Sequence, residues 1–194
     1  MRKAHRNSHV EKGSSLIEMM IAMLVLTVGL VGTIALVTTA ITSNGRSRHD
    51  STSAALAEMV AGQISAVPFC SGGCGGGVAS VTITDCAGNV LTVDTTGSTA
   101  GNGATLNSSG NVDYVNQTFA GVPAGYGMKY TVCGTSNGIN MVYDIRWNIK
   151  QVAANSAEEF VVVGAQPVIA KPTTNARAWA APVNVRTLVG NDGN

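Results

Sequence analysis

Hydrophobic and polar positions follow three different rhythms along this chain. Residues 19–37, MMIAMLVLTVGLVGTIALV, form an apolar run with neither charge nor proline. At about 1.5 Å of helical rise each, they span about 28 Å, close to the roughly 30 Å thickness of bilayer hydrocarbon. Further on the rhythm becomes a stripe. Leu56, Met59, Val60, Ile64 and Val67 recur at helical spacing, with Ser53, Glu58 and Ser65 between them, and the pattern stops before Pro68. The two patterns predict one long helix over residues 14–67, apolar all round in its first half and one-faced in its second. Gly29, Gly32 and Asn44-Gly45 are the places where such a helix could loosen.

Past Pro68 the period falls to two. Val81-Thr-Ile-Thr and Val90-Leu-Thr-Val are short and β-branched, and Asp85-Cys-Ala-Gly-Asn between them predicts a hairpin. Residues 95–111, TTGSTAGNGATLNSSGN, carry almost no bulky apolar side chain and read as a mobile surface loop. The clearest strands are 126–133 and 139–151. In the second, Met141, Tyr143, Ile145, Trp147 and Ile149 alternate with Val142, Asp144, Arg146, Asn148 and Lys150, giving one apolar and one mostly charged face. The apolar face is the natural partner of the Leu56–Val67 stripe. Strands at 160–163 and 183–189 would complete an antiparallel sheet. The expected fold class is α+β: a long N-terminal helix whose far half packs on a small antiparallel β-sheet.

Charge adds an orientation. Residues 1–13 hold Arg2, Lys3, Arg6 and Lys12 against Glu11, and only Arg46 and Arg48 follow soon after the apolar run. An excess of basic residues on one flank places that flank in the cytoplasm. Without residues 1–13 the formal charge of +1 becomes −2, with eight basic and ten acidic side chains left. No basic patch of the kind a nucleic-acid partner needs is evident. One carboxylate is out of place. Glu18 sits among Leu16, Ile17 and Met19, and a charge at membrane depth costs on the order of 2.5 kcal/mol or more unless it has a partner and a role.

A cleaved secretory signal accounts poorly for this start, because the apolar run exceeds the usual roughly 7–15 residues and the best cut, after Ala40, has Thr38 three positions before it. A plain membrane anchor explains neither Glu18 nor the glycine before the run. The order of a basic leader ending in Lys12-Gly13, then Leu16, Ile17, Glu18 and an unbroken apolar helix to about Ile41 resembles the class III leader of type IV prepilins and pseudopilins. The family usually has Phe or another large apolar residue just after the glycine, where this chain has Ser14. YDIRWNIK and VGLVG look most like the V class of type IV minor pilins.

The resemblance implies cleavage by prepilin peptidase between Gly13 and Ser14 and N-methylation of Ser14. It further implies an assembly role for Glu18 and, as partners, other major and minor pilins and an inner-membrane assembly platform. The chain would then be single-pass in a bacterial inner membrane, N-terminus cytoplasmic before processing, and later part of a filament at the cell surface. The domains expected are a leader at 1–13, a transmembrane or filament-core half-helix at 14–45, an amphipathic half at 46–67 and an exported β-rich domain at 68–194. The alternatives are a minor pseudopilin of a type II secretion system and a membrane-anchored extracytoplasmic binding module.

Catalytic chemistry is not expected, nor is a cofactor. The histidines are His5, His9 and His49, so the segment after Pro68 has none for a Ser-His-Asp, Cys-His or His-bearing metal site. Glu158-Glu159 reads as the solvated start of a strand rather than a catalytic pair. Cys70, Cys74, Cys86 and Cys133 are spaced by 4, 12 and 47 and lack paired C-x-x-C knuckles, which argues against zinc. On an oxidising exterior disulfides are the default, and three pairings are open. Cys70–Cys74 with Cys86–Cys133 is preferred, since the first closes a glycine-rich turn and the second joins two strand ends. Unpaired buried thiols remain the alternative.

Overall fold

The computed structural model describes residues 15–67, 80–134, 140–153, 158–168 and 181–190 of the 194. The chain forms two compact units, Met1–Asn44 and Gly45–Asn194. One helix, α1, spans Leu16–Ala66. It is helical at Gly29, Gly32 and Gly45, so the loosening considered there is not present in this single chain. Among the described residues seven strands follow: β1 Ser80–Thr84, β2 Val90–Asp94, β3 Asn102–Gly103, β4 Gly127–Val132, β5 Met141–Gln151, β6 Glu158–Pro167 and β7 Val183–Gly190. The architecture is α+β with antiparallel sheets, as the alternation of patterns implies.

Strands β1 and β2 make a separate two-stranded sheet. Its turn is built by Asp85, whose carboxylate accepts from the Ala87 and Asn89 amides and from Asn89 Nδ2 at 2.8–3.0 Å. The same group accepts from the Thr131 amide of β4 at 3.2 Å. These donors, the Asn89 side chain foremost, hold the Asp85 carboxyl down at about 2. The remaining strands form one sheet around β5. Along one edge β5 pairs with β6 from Tyr143 to Gln151. The other edge is shared, with β4 against residues 141–146 and β3 against Asn148 and Ile149. Strand β7 pairs outside β6.

In the second unit, helix residues Ser53, Leu56, Ala57, Val60, Ala61 and Ile64 are buried. They sit at i, i+3, i+4, i+7, i+8 and i+11, one face of a 3.6-residue period. They share a core with Ile145, Trp147, Ile149, Val161, Val163 and Ala165 of the central strands and Val93 of β2. The two alanines let the helix axis approach the sheet where larger side chains would hold it off. Trp147 is fully buried, and its indole N–H donates to Asp94 O at 2.9 Å, so its polar handle is satisfied.

The charged face of β5 departs from expectation. Asp144, Arg146 and Asn148 are buried too. The cover is the stretch expected to be a mobile loop, together with residues up to 122. Ala104 and Val112 pack on Val162 of β6. Gly103 pairs with Asn148 at φ 111°, and a Cβ there would lie 2.3 Å from Trp147 O, so glycine is required by both conformation and space. Beyond the small apolar cluster of Ala104, Val112 and Val162, the segment is held by polar contacts, which is why composition alone misplaces it. Arg146 donates twice to Asp144, at 2.9 and 2.6 Å, and once to Gln117 O at 2.6 Å. Its guanidinium lies 4.5 Å from the centroid of the Tyr114 ring. Asn148 donates to Ala104 O, Asn184 accepts from the Val112 amide, and Gln117 accepts from the Thr105 amide. A second correction concerns Glu159. Glu158 is exposed as the strand-start reading implies, but Glu159 is 3% exposed.

Removing one member of a buried, hydrogen-bonded ion pair strands the other, at about 3–5 kcal/mol, whereas replacing both by apolar groups is often neutral. Arg146→Leu should therefore lower the unfolding free energy by about that amount, and Asp144→Leu/Arg146→Leu should recover most of it. Thermal or urea unfolding of the two variants checks this. Equal losses in both would show that the pair itself does not hold the cover.

Candidate assembly interface

The first unit is an apolar helical surface that nothing in the described chain covers. Every large hydrophobic residue of α1 from Leu16 to Ile41 is more than half exposed, Leu16 at 80% and Ile34 at 64%. The helix passes the length and composition test for a membrane span, with a mean hydropathy of 2.6 over its most apolar window. Its few polar groups are arranged for such a setting. Thr27, Thr33, Thr38, Thr39 and Thr42 each donate their hydroxyl to a backbone carbonyl three or four residues earlier. No hydroxyl proton among these five is left to seek water, which matters in hydrocarbon. At Gly29 and Gly32 an added Cβ would meet nothing within 4 Å, so both present bare backbone to whatever packs there.

Glu18 is the acidic residue in the first turn of α1 and is exposed. Its amide donates to Ser15 O at 2.9 Å. A carboxylate at this end is favoured by the helix dipole, typically by 0.3–1 kcal/mol, so part of its presence is intrahelical electrostatics. Gly13 and Ser14 lie outside the described residues, as do Cys70 and Cys74.

The family described as the prokaryotic N-terminal methylation motif matches residues 9–34, taking in Gly13, Ser14, Glu18 and most of the apolar run. The chain carries the class III prepilin leader, which supports a place in the type IV pilin and pseudopilin family. The motif implies processing by prepilin peptidase and assembly into a pilus or pseudopilus, with membrane anchoring through the apolar helix. No curated protein and no solved structure matches the chain.

Of the sequence-derived site residues in the pilin's globular unit, Cys86 and Cys133 are brought together as a disulfide with a Cα–Cα distance of 5.8 Å. The bond ties the β1–β2 turn to the end of β4, beside the Asp85–Thr131 contact. Among the described residues no group of three or more His, Cys, Asp or Glu side chains is placed to hold a metal. Sequence reasoning missed the Asp144–Arg146 pair and the buried Glu159. The first had a signal, since opposite charges two apart on one strand share a face; the second had none beyond its position in the alternation with Val161 and Val163.

Alkylation of the native, exported chain should leave Cys86 and Cys133 unlabelled until reduction. On the loop-entropy model, a bridge across 47 residues contributes roughly 4 kcal/mol. Cys86→Ser/Cys133→Ser should lose about that much in chemical denaturation, and unchanged stability would refute the stabilising role.

Proposed function

We propose that this pilin is a minor subunit of a type IV pilus, of the V class, with a structural and non-catalytic role in filament assembly or priming, at the tip where it supports adhesion, motility or DNA uptake. The observation that carries the reading is the coincidence of the methylation motif at residues 9–34 with an apolar half-helix that its own chain leaves bare. Prepilin peptidase would cut between Gly13 and Ser14 at the cytoplasmic face of the inner membrane, and the new Ser14 amine would be methylated. The helix would wait in the bilayer and then pack among the helices of neighbouring pilins.

Glu18 has a physical part in that transfer. Cleavage creates a cationic amine at Ser14, four residues before Glu18. An exposed pair of this kind is worth below about 1 kcal/mol, but at membrane depth each unpaired charge costs several kcal/mol. The family resemblance assigns the carboxylate of an incoming subunit to the N-terminal amine of its neighbour. That contact neutralises both charges and sets the axial register.

Intact-mass measurement of the membrane-extracted protein should find a chain beginning at Ser14 with one added methyl group, and a bulky residue at Gly13 should leave the full length. Glu18→Ala should insert and be cleaved normally yet show a sharply reduced ratio in sheared pili relative to membranes, with Glu18→Asp intermediate. An unprocessed chain, or one beginning at Ile41, would remove the pilin reading. An unchanged ratio for Glu18→Ala would mean docking by another contact. A secretion defect without loss of twitching would assign the chain to a type II secretion pseudopilus instead.

A further inference from the structure

The globular unit buries one carboxyl that its fold does not satisfy. Glu159 lies at the start of β6, on the face that continues through Val161 and Val163 into the core, and Oε1 has no hydrogen-bond partner. Its cross-strand neighbours are Gln151 of β5 and Val189 of β7. From above it is closed by Gly97. A Cβ at that position would lie 2.3 Å from Oε1 and 2.9 Å from the Ile149 methyl, so any side chain at residue 97 would push the Glu159 carboxyl out of its place.

The covering segment of this arrangement is residues 95–101, irregular apart from an isolated bridge between Ser98 and Lys150. It is fastened at one point in its middle, where Ser98 O accepts from the Gln151 amide at 2.8 Å and the Gly101 amide at 3.0 Å. At its start Thr96 donates to the Asp94 carboxylate and accepts, through its carbonyl, from the Tyr126 hydroxyl.

No cation among the described residues faces Glu159. The buried helix face is Ser53, Leu56, Ala57, Val60, Ala61 and Ile64, none of them ionisable. Lys150 and Glu158 fall on the opposite face by strand alternation. On β7, Arg186 also falls there and is held by Ser109 and Asn111. The nearest carboxylate on the covering segment is Asp94, engaged with Thr96.

We propose that Glu159 and residues 95–101 form a proton-controlled latch, in which the segment closes over the neutral carboxyl and loosens when the carboxyl ionises. Burial pushes this carboxyl up to about 7 from its ordinary 4.5. The sign follows from proton linkage. Between those two values the closed form binds a proton that the open, hydrated form does not, so closure is fully favoured below about 4.5 and is lost as pH rises through 7. One proton per opening makes the opening constant rise by at most about tenfold per pH unit in that window and level off above it.

Amide exchange on the full chain in detergent micelles tests the latch, read as protection factors at Gly101 and Gln151, with Ala104, which donates to Trp147 O, as the internal reference. The expected result is a loss of protection of at least about tenfold at Gly101 and Gln151 between pH 5 and 7, with Ala104 unmoved. Glu159→Gln should flatten the dependence, and Gly97→Ala should give low protection throughout. Equal pH dependence in wild type and Glu159→Gln would overturn the proposal. Should Glu159→Gln fail to fold, the wild-type carboxyl is followed directly by its ¹³C shift. A midpoint near 7 supports the latch and one near 4.5 overturns it.

Discussion

An apolar half-helix that stays exposed among the described residues must be covered by something else, and this constraint shapes the first unit. Residues 16–41 present hydrocarbon in every direction. Burial is worth roughly 25 cal/mol per Å², so exposure of such a surface to water is not a stable condition. The two environments that meet it are lipid and other helices. Threonine hydroxyls folded back onto the helix suit both, because neither supplies water for a stranded donor. Glycines without neighbours suit the second, since van der Waals contact between helices grows as backbones approach. The first unit is therefore incomplete alone, in a way the second unit is not.

The second unit solves the burial problem twice, by different means. On one face of the central sheet the solution is hydrophobic, with an alanine-lined helix stripe against Ile145, Trp147, Ile149, Val161 and Val163. On the other face the sheet offers Asp144, Arg146 and Asn148, and a segment poor in large side chains folds over them. Its energy must come from hydrogen bonds, and those are worth most where no polar group is left unpaired. Arg146 meets that requirement by using its fork on Asp144 and its remaining nitrogen on Gln117 O, with the Tyr114 ring above. Glu159 does not, and the difference between the two buried ionisable groups is the presence of a partner.

This contrast explains what could be read from the sequence. The apolar run, the Leu56–Ile64 stripe and the alternation in 141–149 are periodic, and periodicity reports which side of an element is buried against a large apolar partner. The leader motif was equally accessible, because it depends on residue identity at fixed places, whereas the Cys86–Cys133 pairing was one of three that the cysteine spacing left open. The covering segment was not. Its residues 95–111 contain glycine, threonine and asparagine in the proportions of a solvated loop, and what orders them are acceptors and donors more than thirty residues away, such as Trp147 O, Asn148 and Arg186. Composition measures apolar area and is blind to that.

The same reasoning bears on which parts of the surface can change without unfolding the unit. A cover fixed by a few polar side chains tolerates substitution wherever its own side chains point to solvent. It is most constrained at the glycines that touch the sheet. Gly103 cannot gain a methyl group without striking Trp147 O, and Gly97 cannot without striking Glu159. Exposed positions such as Ser108, Ser109 and Val115 carry no such limit. The backbone of 95–122 is thereby tied to the sheet while much of its outward face is free to take on other residues. On the proposed filament role, that outward face is where the surface presented to the surroundings can vary at the least structural cost.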